Sequence, residues 1–126
     1  MAYSINSPAG KTVQEIIDSL PSLMAVAVVD IQSGMALASH SNVASLNPET
    51  AAAYNTEVVK QKLKAMSALK LQNEKIEDIL MTLSSQMHLI KLSDDGKKFI
   101  YLVASSRDTN LAIARDVMRQ GAELLN

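Results

Sequence analysis

The sequence predicts an α+β domain of three layers: a five-stranded antiparallel sheet with a long helix on one face and the N- and C-terminal helices on the other. Two observations lead there. Residues 76 to 104 hold three runs of period-two alternation separated by polar turn residues, the pattern of an antiparallel meander. Residues 48 to 72 form one helical stretch with no internal breaker. With an apolar hairpin between residues 24 and 39, the order is helix, two strands, long helix, three strands, helix. A single sheet covered on both faces is the simplest arrangement of that order.

Residues 1 to 9 lack a pattern, and Ser7-Pro8-Ala9-Gly10 reads as the end of a flexible N-terminal arm, residues 1–10, before a single domain over residues 11–126. Val13, Ile16, Ile17 and Leu20 recur at helical spacing and make one apolar stripe, which Pro21 ends. Residues 24 to 31 are small and branched on both faces, as in a central strand. Gln32-Ser33-Gly34 turns the chain into its hairpin partner, Met35 to Ser39.

Asn47-Pro48-Glu49 is a helix start: Asn47 can cap free N–H groups, Pro48 suits the first helical position, and Glu49 complements the dipole. With nothing to stop it before Gln72-Asn73, that helix spans about 25 residues, or ~37 Å at 1.5 Å per residue. Val59, Leu63, Met66 and Lys70 mark one line along it, and Tyr54, Val58, Ala65 and Leu69 widen the apolar arc beyond what one sheet face needs. Lys60, Lys62 and Lys64 lie toward its solvated side. Ala51 to Ala53, Ala65 and Ala68 would let a second helix come close.

In the meander, Ile79, Met81 and Leu83 alternate with Leu80, Thr82 and Ser84. Glu77 and Asp78 precede that run, which suits a strand near an edge. Residues 87 to 92 follow, then a turn at Ser93-Asp94-Asp95-Gly96, where glycine accepts positive φ. Residues 99 to 104 are apolar on both faces and belong inside the sheet, beside residues 24–31. Asp108-Thr109-Asn110 caps a last helix whose apolar face runs from Leu111 to Leu125. Gly121 within it costs about 1 kcal/mol relative to alanine, which a close packing contact would justify.

The chain has 126 residues, 48% of them hydrophobic and 20% charged, as expected of one globular domain with a real core. It has no cysteine, and therefore neither disulfides nor thiolate metal sites. No apolar run is long enough for a membrane span and no signal-peptide segment opens the chain, so a cytoplasmic location is expected. The formal net charge is −1, with one Phe, three Tyr and no Trp. Nucleic-acid binding wants a basic excess and aromatic stacking platforms, and this composition supplies neither.

Residues that invite a chemical reading have structural ones close at hand. Gly10-Lys11-Thr12 resembles the tail of a P-loop, but Ile5 stands where the first glycine is needed and no strand precedes it. His40 and His88 have no clustered Asp or Glu, so no metal site is expected. Asp30 reads as a turn device, and Asp94 and Asp95 as neighbours in a hairpin turn rather than a paired acid and base. The methionines serve core filling before an adaptable binding surface. No Gly-x-Ser-x-Gly elbow occurs. An enzyme is not expected, nor any cofactor or metal.

Met24-Ala25-Val26-Ala27-Val28-Val29-Asp30 followed by Ser33-Gly34-Met35-Ala36-Leu37-Ala38-Ser39 resembles the first hairpin of the roadblock family, named for a dynein light chain. Asn110-Leu111-Ala112-Ile113-Ala114-Arg115 is similar to the start of that family's last helix, with Ala112 where glycine is common. The resemblance runs from about residue 11 to residue 125. It implies a roadblock/profilin-like fold and a dimer formed by long helices and edge strands, with a continuous two-subunit sheet. It also implies a non-catalytic scaffold or regulator of a small Ras-like GTPase. The dimer interface would then use Ala51, Tyr54, Val58, Ala65, Leu69, Ile79, Met81 and Leu83, with a second copy of the chain and a small GTPase as partners. The alternative is a small-molecule sensor or adaptor with a profilin-like cavity.

Overall fold

A computed structural model describes residues 3–126. Its elements are α1 (Pro8–Ser19), β1 (Leu23–Asp30), β2 (Ala36–Ser41), α2 (Pro48–Ala68), β3 (Ile79–Thr82), β4 (Gln86–Leu92), β5 (Lys98–Ser105) and α3 (Leu111–Glu123). The five strands form one antiparallel sheet in the order β2-β1-β5-β4-β3. The three-layer α+β architecture is the one the sequence predicts.

The sheet has two buried faces because the paired cores of β1 and β5 are apolar at every position. Val26 pairs with Leu102 and Val28 with Ile100 on one face, while Ala27 pairs with Tyr101 and Val29 with Phe99 on the other. The first set packs with Val13 and Ile16 of α1 and with Val117 and Met118 of α3. The second packs with Ala52 and Val59 of α2. Burying a Val, Leu, Ile or Phe side chain stabilises a fold by about 1.5–3 kcal/mol. These two strands are therefore the thermodynamic centre, as the unbroken apolar runs imply.

Several boundaries differ from the sequence reading, each for a local reason. α1 begins at Pro8, because Ser7 caps it by accepting a hydrogen bond from the Gly10 N–H at 2.9 Å. Ser7 to Gly10 are thus a helix start rather than the end of an arm, and residues 1 and 2 of that arm lie outside the described residues. Gly10 is required there, since a Cβ would collide with the Ser4 carbonyl oxygen. β2 runs later than expected, to Ser41, and leaves Met35 in the turn at 67% exposure.

α2 stops at Ala68 instead of reaching residue 72. Lys70 takes a left-handed φ of 59° and its N–H donates to Ser67 O at 3.0 Å, while Leu71 N–H donates to Met66 O at 2.9 Å. That pair of bonds is the Schellman arrangement, normally built on glycine. β3 ends at Thr82, so Leu83 lies in the turn, where its N–H donates to Gln86 O at 2.8 Å. The predicted glycine turns hold: Gly34 has φ 75° and Gly96 has φ 72°.

Candidate protein-docking face

α2 covers only part of its side of the sheet. Its buried residues are Pro48, Ala52, Thr56 and Val59, and it lies against β1 and β2. Asn47 starts it as expected, accepting from the N–H groups of Glu49 and Thr50 at 3.0 and 3.1 Å. At about 100° per residue, Ala51, Tyr54, Val58, Ala65 and Leu69 fall within an arc of about 60° beside the buried line. Tyr54 is 74% exposed, Val58 40% and Leu69 69%. Asn55, beside the arc, donates through Nδ2 to the Ala51 carbonyl oxygen at 2.8 Å. The stripe thus lies outside the line that α2 buries against β1 and β2, and the β4–β3 half of the sheet is left uncovered by α2.

The floor of that open half comes from alternate residues of β3 and β4. Ile79 is paired with Ile90 and Met81 with His88, so all four share the α2 face. Ile90 is buried, Ile79 and His88 are half-buried, and Met81 is 48% exposed. Leu80, on the other face, packs into the α1–α3 core. β3 is an edge strand. The Leu83–Gln86 bond sets the alternation of its ladder, which turns the N–H and C=O groups of Leu80 and Thr82 outward. The flank of α2 and the uncovered floor with Ile79 and Met81 thus bound one groove. Leu83, 46% exposed, lies in the turn at its end.

A polar chain crosses this floor, and no local pattern of residues signals it. The Gln86 Oε1 atom can only accept, so His88 Nε2 carries the proton and donates to it at 3.0 Å. His88 Nδ1 then accepts from the Tyr101 hydroxyl at 2.8 Å, with the two rings edge to face. Burial lowers the His88 pKa from its ordinary value, and burial raises that of Tyr101 against a smaller opposing effect of Asn55.

Sequence reasoning also missed the anchor of the edge strand. Arg115 of α3 grips Asp78, the residue before β3, through Nε–Oδ2 at 2.8 Å and Nη2–Oδ1 at 3.2 Å. The remaining candidates are structural. Asp30 accepts from the Ser33 N–H and hydroxyl at 2.9 and 2.7 Å, which lowers its pKa. Asp95 accepts from the Ser93 hydroxyl and the Lys97 N–H within its turn, and Asp94 from Asn126. His40 meets Asn42 at 2.7 Å. Among the described residues no group of three or more His, Cys, Asp or Glu could hold a metal, and no helix is long and apolar enough to cross a membrane.

No family model and no curated protein matches the sequence. Solved structures do match the fold. The Roadblock/LC7 domain from Streptomyces avermitilis superposes with a TM-score of 0.74 at 13% identity, covering 90% of this chain and 90% of that one. Myxococcus xanthus MglB gives 0.68 at 15% identity, over 96% of this chain and 84% of the other. The gliding protein MglB from Thermus thermophilus gives 0.71 at 16% identity, over 98% and 92%. With a likeness spanning nearly the whole chain, the fold is that of the Roadblock/LC7 domains.

Proposed function

We propose that this chain is a non-catalytic module that pairs with a second copy of itself and, as a dimer, serves as scaffold or regulator of a small Ras-like GTPase. The observation that carries the pairing is the half-covered sheet face. An exposed apolar stripe on α2 stands beside the open floor of β3 and β4, and the strand at its edge has free backbone groups. A second copy related by a two-fold axis would extend the sheet through β3 and fill the groove with its own α2. Isologous contacts of this kind close into a dimer. Ala51 and Ala65 allow close helix approach there, while Tyr54, Val58, Leu69, Ile79, Met81 and Leu83 supply apolar area.

The GTPase role rests on the likeness of the first hairpin and last helix to the roadblock family, and on the superposition with MglB structures. Mass by light scattering over a dilution series tests the pairing: a dimer is expected, and a monomer at high concentration overturns it. GTP turnover and binding by a Ras-like GTPase from the same cell, with and without the protein, test the partner. If both are unchanged, the GTPase reading falls.

A sensor reading has one observation in its favour. A concavity of about 400 Å³ lies between Leu63 and Met66 of α2, Ile76, and Leu92 at the end of β4. A metabolite that filled it would raise the melting temperature in a ligand screen, and no shift with any class of metabolite removes this reading.

A further inference from the structure

We infer that self-association through the α2–β3 groove is proton-linked, with His88 as the sensing residue: a second copy docks on the neutral imidazole and is released when it is protonated. The inference rests on the self-association proposed above.

The geometry is directional. The Tyr101 hydroxyl donates to His88 Nδ1, and His88 Nε2 donates to Gln86 Oε1. A proton added at Nδ1 puts two hydrogens between that nitrogen and the phenol. Either the Tyr101 hydroxyl, in a residue only 3% exposed, loses its acceptor, or the imidazolium turns out of the floor. In the free chain the half-buried ring still reaches water, which softens the conflict. A docked copy removes that water, so the charged form is penalised more in the dimer than in the monomer.

No neighbour offsets the added charge. From β5 His88 faces Tyr101 and Val103, and from β3 Met81. Its depressed pKa has burial as its cause, with no carboxylate contributing. Asp78 is held by Arg115 on the opposite face, and Glu77 lies four residues along the strand from Met81, about 13 Å away. The stripe of a second copy would bring Tyr54 and, at its margin, Lys62. Neither is a carboxylate.

The test is the dimer dissociation constant of the full chain by light scattering at about pH 7.5 and about pH 5, the lower value chosen because burial depresses the His88 pKa. A rise on the order of tenfold or more at the lower pH is expected. A dimer equally tight at both values overturns the proton linkage alone, whereas a monomer at both overturns the pairing and the linkage together. His88→Gln should bring the ratio of the two constants near one, and a ratio unchanged by that substitution overturns the assignment to His88. Should that variant fail to fold, NMR titration of the wild-type histidines decides the same point. The His88 pKa must fall as the protein is concentrated into dimer, and a His88 pKa independent of concentration overturns the proposal.

Discussion

The hydroxyl of Thr12 donates to the Gly121 carbonyl oxygen at 2.9 Å, joining the two helices of one face across 109 residues of sequence. Both residues are buried. A Cβ on Gly121 would stand 3.2 Å from Ile16 Cδ1 and 3.3 Å from Thr12 Cγ2, so glycine sits at a close contact between α1 and α3. The helix-propensity cost expected at Gly121 therefore has its compensation.

Thr12→Val keeps the shape of the side chain and removes only the hydroxyl. It is expected to cost about 1 kcal/mol in denaturant unfolding. Gly121→Val inserts a branched side chain into the contact and should cost about 1–3 kcal/mol by overpacking. Equal stability of either variant and wild type would mean that α3 can shift on α1.

Lys70 holds a left-handed φ of 59° to end α2. That conformation costs a non-glycine residue roughly 1–2 kcal/mol, and glycine is free of it. Lys70→Gly should raise the melting temperature by a few degrees, while Lys70→Val should lower it. An unchanged melting temperature in both would show that the Schellman turn is not formed in solution.

Met81→Arg places a charge on the groove floor, and Tyr54→Glu places one on its wall. Each is expected to give a monomer in sedimentation while leaving far-UV circular dichroism unchanged, because both side chains are substantially exposed in the single chain. Dimers of undiminished affinity in both variants would move the interface elsewhere. Arg115→Ala frees Asp78 in front of β3. It should change stability by less than about 1 kcal/mol, since the pair is partly solvated, yet weaken dimerisation by loosening the edge strand.

Acid should destabilise the fold through its turn carboxylates. The pKa of Asp30 is depressed from 3.8 by its bonds to Ser33, and that of Asp95 from 3.8 by its bonds to Ser93 and Lys97. A depressed folded-state pKa contributes stability above the unfolded value that is lost as pH falls through the folded one. Melting temperature is thus expected to drop below about pH 4, and Asp30→Asn should flatten that drop. If Asp30→Asn keeps the acid slope of the wild type, the loss belongs to other carboxylates.

The strand pattern was legible in the sequence because alternation is a property of neighbouring residues. Val26 to Val29 and Phe99 to Val103 read as central strands from their own composition, and they are. The helix stripe of Ala51, Tyr54, Val58, Ala65 and Leu69 was equally visible, being a matter of spacing. Ser7 carried a capping signal that the following Pro8 strengthens, although the patternless residues before it obscured the helix start. The end of α2 was not legible, since a lysine in the left-handed region leaves no mark in composition.

What the sequence by itself determined is the set of elements, their order and their apolar faces, because these follow from local periodicity and turn chemistry. Only the tertiary structure decided which half of the sheet α2 leaves open. It alone brought Gln86, His88 and Tyr101 into one hydrogen-bonded chain, and Arg115 onto Asp78 at a separation of 37 residues. Those contacts depend on strand order and helix placement, which arise from packing two apolar faces at once. No short stretch of the chain encodes that packing on its own.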